Sequence, residues 1–209
     1  MTTARNTNRR ARRGVESRST RQSSNGSVGK PEPPEYLEAD QVKAIIQRAH
    51  SPRSKMLMLL MWRGALRISE ACALDFSDVE LTGDRPTLRV RRGKGHKTRV
   101  VPLHGELGDA VRAYRDFGER ITGPIVDAHR TTGWEWLKKA VAAAESAGEI
   151  PRGRKITPHT FRHSAARHWL ANGDPINVVS RWLGHSNLQT TLIYLQILPD
   201  PTGLMDEIP

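Results

Sequence analysis

A single cysteine, Cys72, in 209 residues excludes a disulfide framework and a Cys-rich zinc site. No apolar run approaches the roughly 18 residues that a membrane-spanning helix needs. The longest, Met56 to Trp62, is broken at once by Arg63 and Gly64. Hydrophobic residues make up 37%, enough for a core but below the globular average, so part of the chain is expected to stay unpacked. Membrane-spanning, collagen-like and disulfide-stapled classes are therefore set aside.

Basic charge is what the chain has in excess. Lys and Arg number 33 against 22 Asp and Glu, a formal charge of +11. Such a balance favours a polyanionic partner and says little about fold. The excess is concentrated at the start. Residues 1–30 hold eight basic side chains, among them Arg9, Arg10, Arg12 and Arg13, and one acid, Glu16. Their only sizeable apolar residues are Val15 and Val28, too few to offset the entropy of ordering the chain. Residues 1–35, ending in Pro31-Glu32-Pro33-Pro34, read as a disordered basic arm and stiff linker. No apolar segment suits a secretory signal, although an Arg- and Ser-rich start also resembles an organellar transit peptide. The arm is either a phosphate-binding strap or a solvated leader, and the residues alone leave both open.

Residues 36–209 read as one domain, mostly helical with a small β element. Leu37, Val42, Ile45, Ile46 and Ala49 mark a helix face within Tyr36–His50. Ser54 to Leu74 forms one or two helices with Gly64 as the weak point. Leu88, Val90, Val100 and Val101 around Gly93-Lys94-Gly95 predict a β-hairpin. Helices follow over Leu107–Glu119, Trp134–Ala147, Phe161–Asn172, Pro175–Leu183 and Asn187–Gln196, several stopped by glycine.

Four polar segments need an explanation. Arg67, in Gly64-Ala65-Leu66-Arg67-Ile68-Ser69-Glu70, is costly to bury without an anion; pairing with Glu70 would also satisfy it. Lys94 sits between glycines at a hairpin tip, flanked by Arg91, Arg92 and Lys97, where a flexible ammonium can approach a ligand or simply be solvated. His159 and Arg162 fall three apart at a helix start, a place where free N–H groups favour anions. His159 and His163 have a metal-like spacing, but the Glu of the zinc-protease pattern is missing. His185 and Tyr194 end the series; a tyrosine hydroxyl is a competent nucleophile if cations stabilise its anion, and otherwise an ordinary core residue.

Taken in order, Arg67, Lys94, His159-x-x-Arg162, His185 and Tyr194 resemble the catalytic domain of the tyrosine recombinases, the phage-integrase and Xer-like family. The resemblance runs from about Tyr36 to Tyr194. It implies a mostly α, α+β catalytic domain: a helical bundle with a small hairpin or sheet. It implies a site-specific recombinase that cuts and rejoins DNA through a 3′-phosphotyrosyl intermediate. Tyr194 would be the nucleophile and Arg67 and Arg162 the grip on the phosphate. His185 would add a hydrogen bond, Lys94 would protonate the leaving 5′-oxygen, and His159 would assist the tyrosine's proton. Neither metal, ATP nor another cofactor is implied. Double-stranded DNA is the implied partner, with a homotetramer on the DNA, a possible accessory protein and a cytoplasmic, nucleoid-associated location. The contacts expected beyond the site are Arg9, Arg10, Arg12, Arg13, Arg91, Arg92 and Lys97.

The chain departs from the family pattern in three places. The helical core-binding domain that usually precedes the catalytic one is replaced by the basic leader. The fimbrial-switch invertases also consist of little more than a catalytic domain. Ala65 stands where the family often has glycine, with little consequence expected. The tail after Tyr194, with Leu195, Ile197, Leu198, Leu204 and Met205, is expected either to pack on a neighbouring subunit or to fold back. Trp134, Trp136, Trp169, Trp182 and Cys72 are expected in packing roles, and His163 and His168 behind the site or at the surface. Two competing readings remain: a DNA- or junction-binding module resembling a helix-turn-helix over Ile176–Leu195, and a type IB topoisomerase-like enzyme.

Overall fold

The computed structural model describes residues 34–83, 85–91, 98–118, 121–195 and 198. Residues 1–33 of the expected arm and linker, the turn with Arg92, Lys94 and Lys97, and the tail residues Ile197, Leu204 and Met205 lie outside the described residues.

The apolar run Met56–Trp62 organises the molecule. Every one of its side chains is buried, so the helix that carries it, α2 (Pro52–Arg63), is the central element. It packs against α1 (Ala39–Gln47), α3 (Ile68–Cys72), α4 (Gly105–Asp116), α5 (Arg130–Ser146) and α6 (Pro158–Ala171). Its start is set by Ser51, whose hydroxyl accepts from the Ser54 amide at 3.2 Å, with Pro52 at the first helical position. It ends at Gly64 for a packing reason. A Cβ there would lie 2.8 Å from the Leu60 carbonyl oxygen, which accepts from the amides of both Gly64 and Leu66.

After a 3-10 turn (Phe76–Asp78), β1 (Val79–Glu80), β2 (Thr87–Val90) and β3 (Arg99–Pro102) form an antiparallel sheet in the order β1-β2-β3. The expected hairpin is present, with Leu88 opposite Val101 and Val90 opposite Arg99. The edge strand β1 was not foreseen; at two residues it is too short to show a period. Leu88, Val90 and Val101 face the core, while Val100 faces solvent. Arg99 shares the inner face with Val101 and is buried.

The C-terminal half supplies α6, α7 (Ile176–Leu183) and α8 (Gln189–Leu192). Thr157 caps α6 by accepting from the Thr160 amide, with Pro158 next, so the helix begins before Phe161. Gly184 ends α7 at φ 66°, a left-handed geometry that costs glycine least. The last helix is shorter than the expected Asn187–Gln196. Asn187 Oδ1 accepts from the Gln189 amide, and the Tyr194 amide bonds Thr191 one step short of helical spacing, so the segment tightens into turns. A one-turn α8 does not provide the recognition helix that a helix-turn-helix reading needs.

Candidate active site

The site is built around a buried carboxylate. Arg67 precedes α3, and Glu70 lies one turn inside it. Glu70 accepts from the Arg67 amide at 2.9 Å and from Arg67 Nη1 at 2.9 Å. From β3, Arg99 donates to both oxygens of the same carboxylate, at 2.8 and 2.7 Å. Arg162 Nη1 from α6 lies 3.8 Å from Glu70 Oε2. Burial alone would raise the Glu70 pKa. The bonds and charge of Arg99, the Arg67 amide and the charge of Arg162 outweigh it and hold the carboxyl at about 2. Arg67 therefore pairs with Glu70 as its spacing allowed, but its side chain stays 37% exposed.

Arg162 ties the segments together. It is 3% exposed, and its guanidinium donates to the Ala65 carbonyl at 2.5 Å and to the Leu183 carbonyl. The first carbonyl lies two residues before Arg67, the second two residues before His185. One planar fork thus sets the spacing of two distant loops. Arg99 adds a third strut, with Nε donating to the Trp182 carbonyl at 2.6 Å. Burial, then the charges of Arg67 and Arg99, draw the Arg162 pKa down to about 9, so it stays charged at neutral pH. Ala65, expected to matter little, adopts φ 45°, where an alanine is strained and a glycine is not. Its carbonyl is thereby turned toward Arg162.

Tyr194 is 2% exposed and follows α8. Burial raises its pKa, and the charges of Arg162 and Arg67 act in the opposite direction. Its hydroxyl lies 2.7 Å from His163 Nδ1. His163, expected behind the site or at the surface, thus supports the Tyr194 hydroxyl from within the protein. Burial, then the neighbouring His159 and Arg162, lower its pKa to about 4, so it is neutral at neutral pH. His159 is exposed on the first turn of α6, its ring centroid 6.3 Å from that of His163. His185 Nδ1 is 2.8 Å from the hydroxyl of fully buried Thr191, which orients the ring.

The structure thus gathers Arg67, Arg162 and Tyr194, with His159 beside them and His185 linked through Leu183 and Thr191. Lys94 lies outside the described residues. Arg91 is exposed, but its Nε lies 2.5 Å from buried Asp78. Arg99 and Thr191 were missed. Counting by twos from Val101 puts Arg99 on the inner face of β3, a signal that was available; no comparable signal pointed to Thr191. Trp169 and Trp182 pack edge to face, 5.3 Å apart, and the His168 ring lies tilted against Trp62 at 5.1 Å. Cys72 is half-buried, and burial pushes its thiol up to about 11. Leu198 packs on the core of its own chain, whereas Leu195 is exposed. Among the described residues no His, Cys, Asp and Glu cluster could hold a metal, and no helix is long and apolar enough to cross a membrane.

The model of the phage integrase family matches residues 35–200. A tyrosine recombinase of Thermosipho africanus is 34% identical over 175 residues, covering 78% of this chain and 58% of that protein. The crystal structure of XerA recombinase matches with a TM-score of 0.64 at 27% identity, covering 83% of this chain and 63% of that one. The catalytic domain of bacteriophage HP1 integrase shares the fold, with a TM-score of 0.60 at 22% identity, over 94% of its length. The chain spans just under three fifths of the length of the curated relatives it matches first.

Proposed function

The chain belongs to the phage integrase family, and on that premise we propose that residues 36–209 are the catalytic domain of a site-specific recombinase that cuts and rejoins DNA. Tyr194 attacks the scissile phosphate, forming a 3′-phosphotyrosyl link and releasing a 5′-hydroxyl. The 5′-hydroxyl of a partner strand then attacks that link and rejoins the DNA. The bond energy is kept in the protein–DNA link, so the step consumes no ATP.

The observation that carries this reading is the convergence of Arg67, Arg99 and Arg162 on Glu70 beside the Tyr194 hydroxyl. A phosphodiester gains charge in its transition state, and fixed guanidinium groups stabilise that charge without reorganising. Arg67 and Arg162 take the non-bridging oxygens, and His185 donates a hydrogen bond to the same group. His159, exposed at the start of α6, assists the transfer of the Tyr194 proton. Lys94 protonates the leaving oxygen.

Double-stranded DNA is the substrate, and exchange between two duplexes needs four such sites, hence a homotetramer on the DNA. An accessory protein is a further candidate partner. Residues 1–35 form a basic arm along the phosphates, with Arg9, Arg10, Arg12 and Arg13, and Arg91, Arg92 and Lys97 add contacts at the hairpin. Work of this kind places the protein on the nucleoid, in the cytoplasm.

The test is covalent trapping. The protein is incubated with labelled DNA flanking its own gene, intact and nicked, and adducts that survive denaturation are counted. Wild type should form an adduct and Tyr194→Phe none. An adduct of equal yield with Phe would remove Tyr194 as nucleophile. No adduct from wild type on any fragment would favour a binding module.

A further inference from the structure

We propose that Thr191 is a positioning residue for the strand-transfer step: its hydroxyl donates to His185 Nδ1 and so keeps the imidazole proton on Nε2, where it can be offered to the phosphate. The inference rests on the reading above, in which His185 donates to that phosphate, and names the residue that makes it a donor.

The direction of the bond follows from what else each partner can do. Thr191 is fully buried, and among the described residues its hydroxyl meets one hydrogen-bond partner, His185 Nδ1 at 2.8 Å. A hydroxyl has one proton to give and two lone pairs to offer. If Nδ1 carried the ring proton, it would donate to the threonine oxygen. The hydroxyl proton would then be buried without an acceptor, at the full desolvation cost of an unmade hydrogen bond. If Nδ1 accepts instead, both groups are satisfied. An imidazole that accepts at Nδ1 is neutral and carries its proton on Nε2.

The backbone of His185 is already fixed, so the ring is what remains to be set. Beyond Gly184, the His185 amide donates to the Ser180 carbonyl at 3.1 Å, and Arg162 holds the carbonyl of Leu183. The side-chain torsions and the tautomer are left to a side-chain partner. A ring tied at Nδ1 points Nε2 away from the tie, and His185 is partly exposed while Thr191 is not. Thr191 also reaches the nucleophile. Its carbonyl accepts from the Tyr194 amide at 3.1 Å, and its own amide bonds the Leu188 carbonyl at 2.7 Å. One residue of α8 thus fixes the hydrogen-bond donor through its side chain and the tyrosine through its backbone. Valine would fill the same volume without the hydroxyl, and serine would keep the hydroxyl without the methyl group.

The experiment uses the full chain and has a spectroscopic and a kinetic arm. With isotope-labelled histidine, long-range proton–nitrogen spectra identify the protonated nitrogen of each ring, and His185→Ala assigns the His185 signals. Wild type and Thr191→Ser should carry the proton on Nε2, and Thr191→Val should show both tautomers. In single-turnover cleavage of the DNA found by trapping, Thr191→Val should be about 10- to 100-fold slower than wild type, and Thr191→Ser within about threefold of it. In a His185→Ala background, Thr191→Val should slow cleavage no further, because a residue that acts through another loses its effect with it. A thermal melt of each variant accompanies the rates. A wild-type ring with its proton on Nδ1 would overturn the inference without any variant. So would a Thr191→Val rate equal to wild type, or the same slowing with and without the His185 ring, which would make Thr191 a residue of the fold alone. If wild type forms no Tyr194 adduct, the strand-transfer reading itself fails and the positioning role goes with it, whichever tautomer the spectra show.

Discussion

Replacing Glu70 with glutamine tests whether the arginine cluster is held by its central carboxylate. Glu70 is nine-tenths buried, and its pKa falls from an ordinary 4.5 to about 2. At about 1.4 kcal/mol per pH unit, that gap corresponds to about 3 kcal/mol of folding stability. The figure agrees with the roughly 3–5 kcal/mol lost when one partner of a buried ion pair is removed. Arg99 and Arg162 would then be left nearly buried and uncompensated, with only 6% and 4% of their side chains exposed. In a domain of this size the loss corresponds to a melting point about 6–12 °C lower. The pH dependence carries the sharper sign. A carboxylate whose pKa is lowered by folding stabilises the protein fully above its unfolded value, 4.5, and loses that contribution as pH falls toward about 2. Urea unfolding at a series of pH values should therefore show wild type well above Glu70→Gln at neutral pH. The two should converge as pH falls below about 4.5. Equal stability at neutral pH, or a difference that persists undiminished to the lowest pH at which both fold, would refute the reasoning.

Two further outcomes follow from the same geometry. Arg162→Lys keeps the charge but loses the fork that spans the Ala65 and Leu183 carbonyls. Adduct formation should slow by about 10²-fold or more, read as a first-order rate, and a lysine variant within a factor of about two would count against the strut. Gly64→Ala should cost about 1–3 kcal/mol in urea unfolding, because its Cβ meets the Leu60 carbonyl at 2.8 Å, between Leu88 and Leu66.

Much of the fold was legible in the sequence because its signals are local. The apolar run at Met56–Trp62 cannot face water anywhere around a helix, so it became the centre. Ser51, Thr157, Pro52, Pro158 and Gly184 are the residues that start and stop helices, and they do so here. The last helix was overread because Asn187 satisfies a backbone amide with its own side chain, a competition that helical spacing does not register. The strand β1 went unseen because two residues carry no pattern.

The sequence by itself determined which groups could do the chemistry. Arg67, Arg162, His159, His185 and Tyr194 stand in an order that resembles a family, and their types suit a charged phosphate. What only the tertiary structure decided is which of them touch, and through what. Arg99 reaches Glu70 across 29 positions, Arg162 bridges to Ala65 across 97, and His163 meets Tyr194 across 31. None of these separations leaves a period in the chain, because a hydrogen bond between distant segments depends on how helices and strands pack. The same packing decides burial and which charges meet: burial lowers the His163 pKa and raises that of Tyr194, while at Glu70 the bonds and charge of Arg99 with the Arg67 amide and the charge of Arg162 outweigh it.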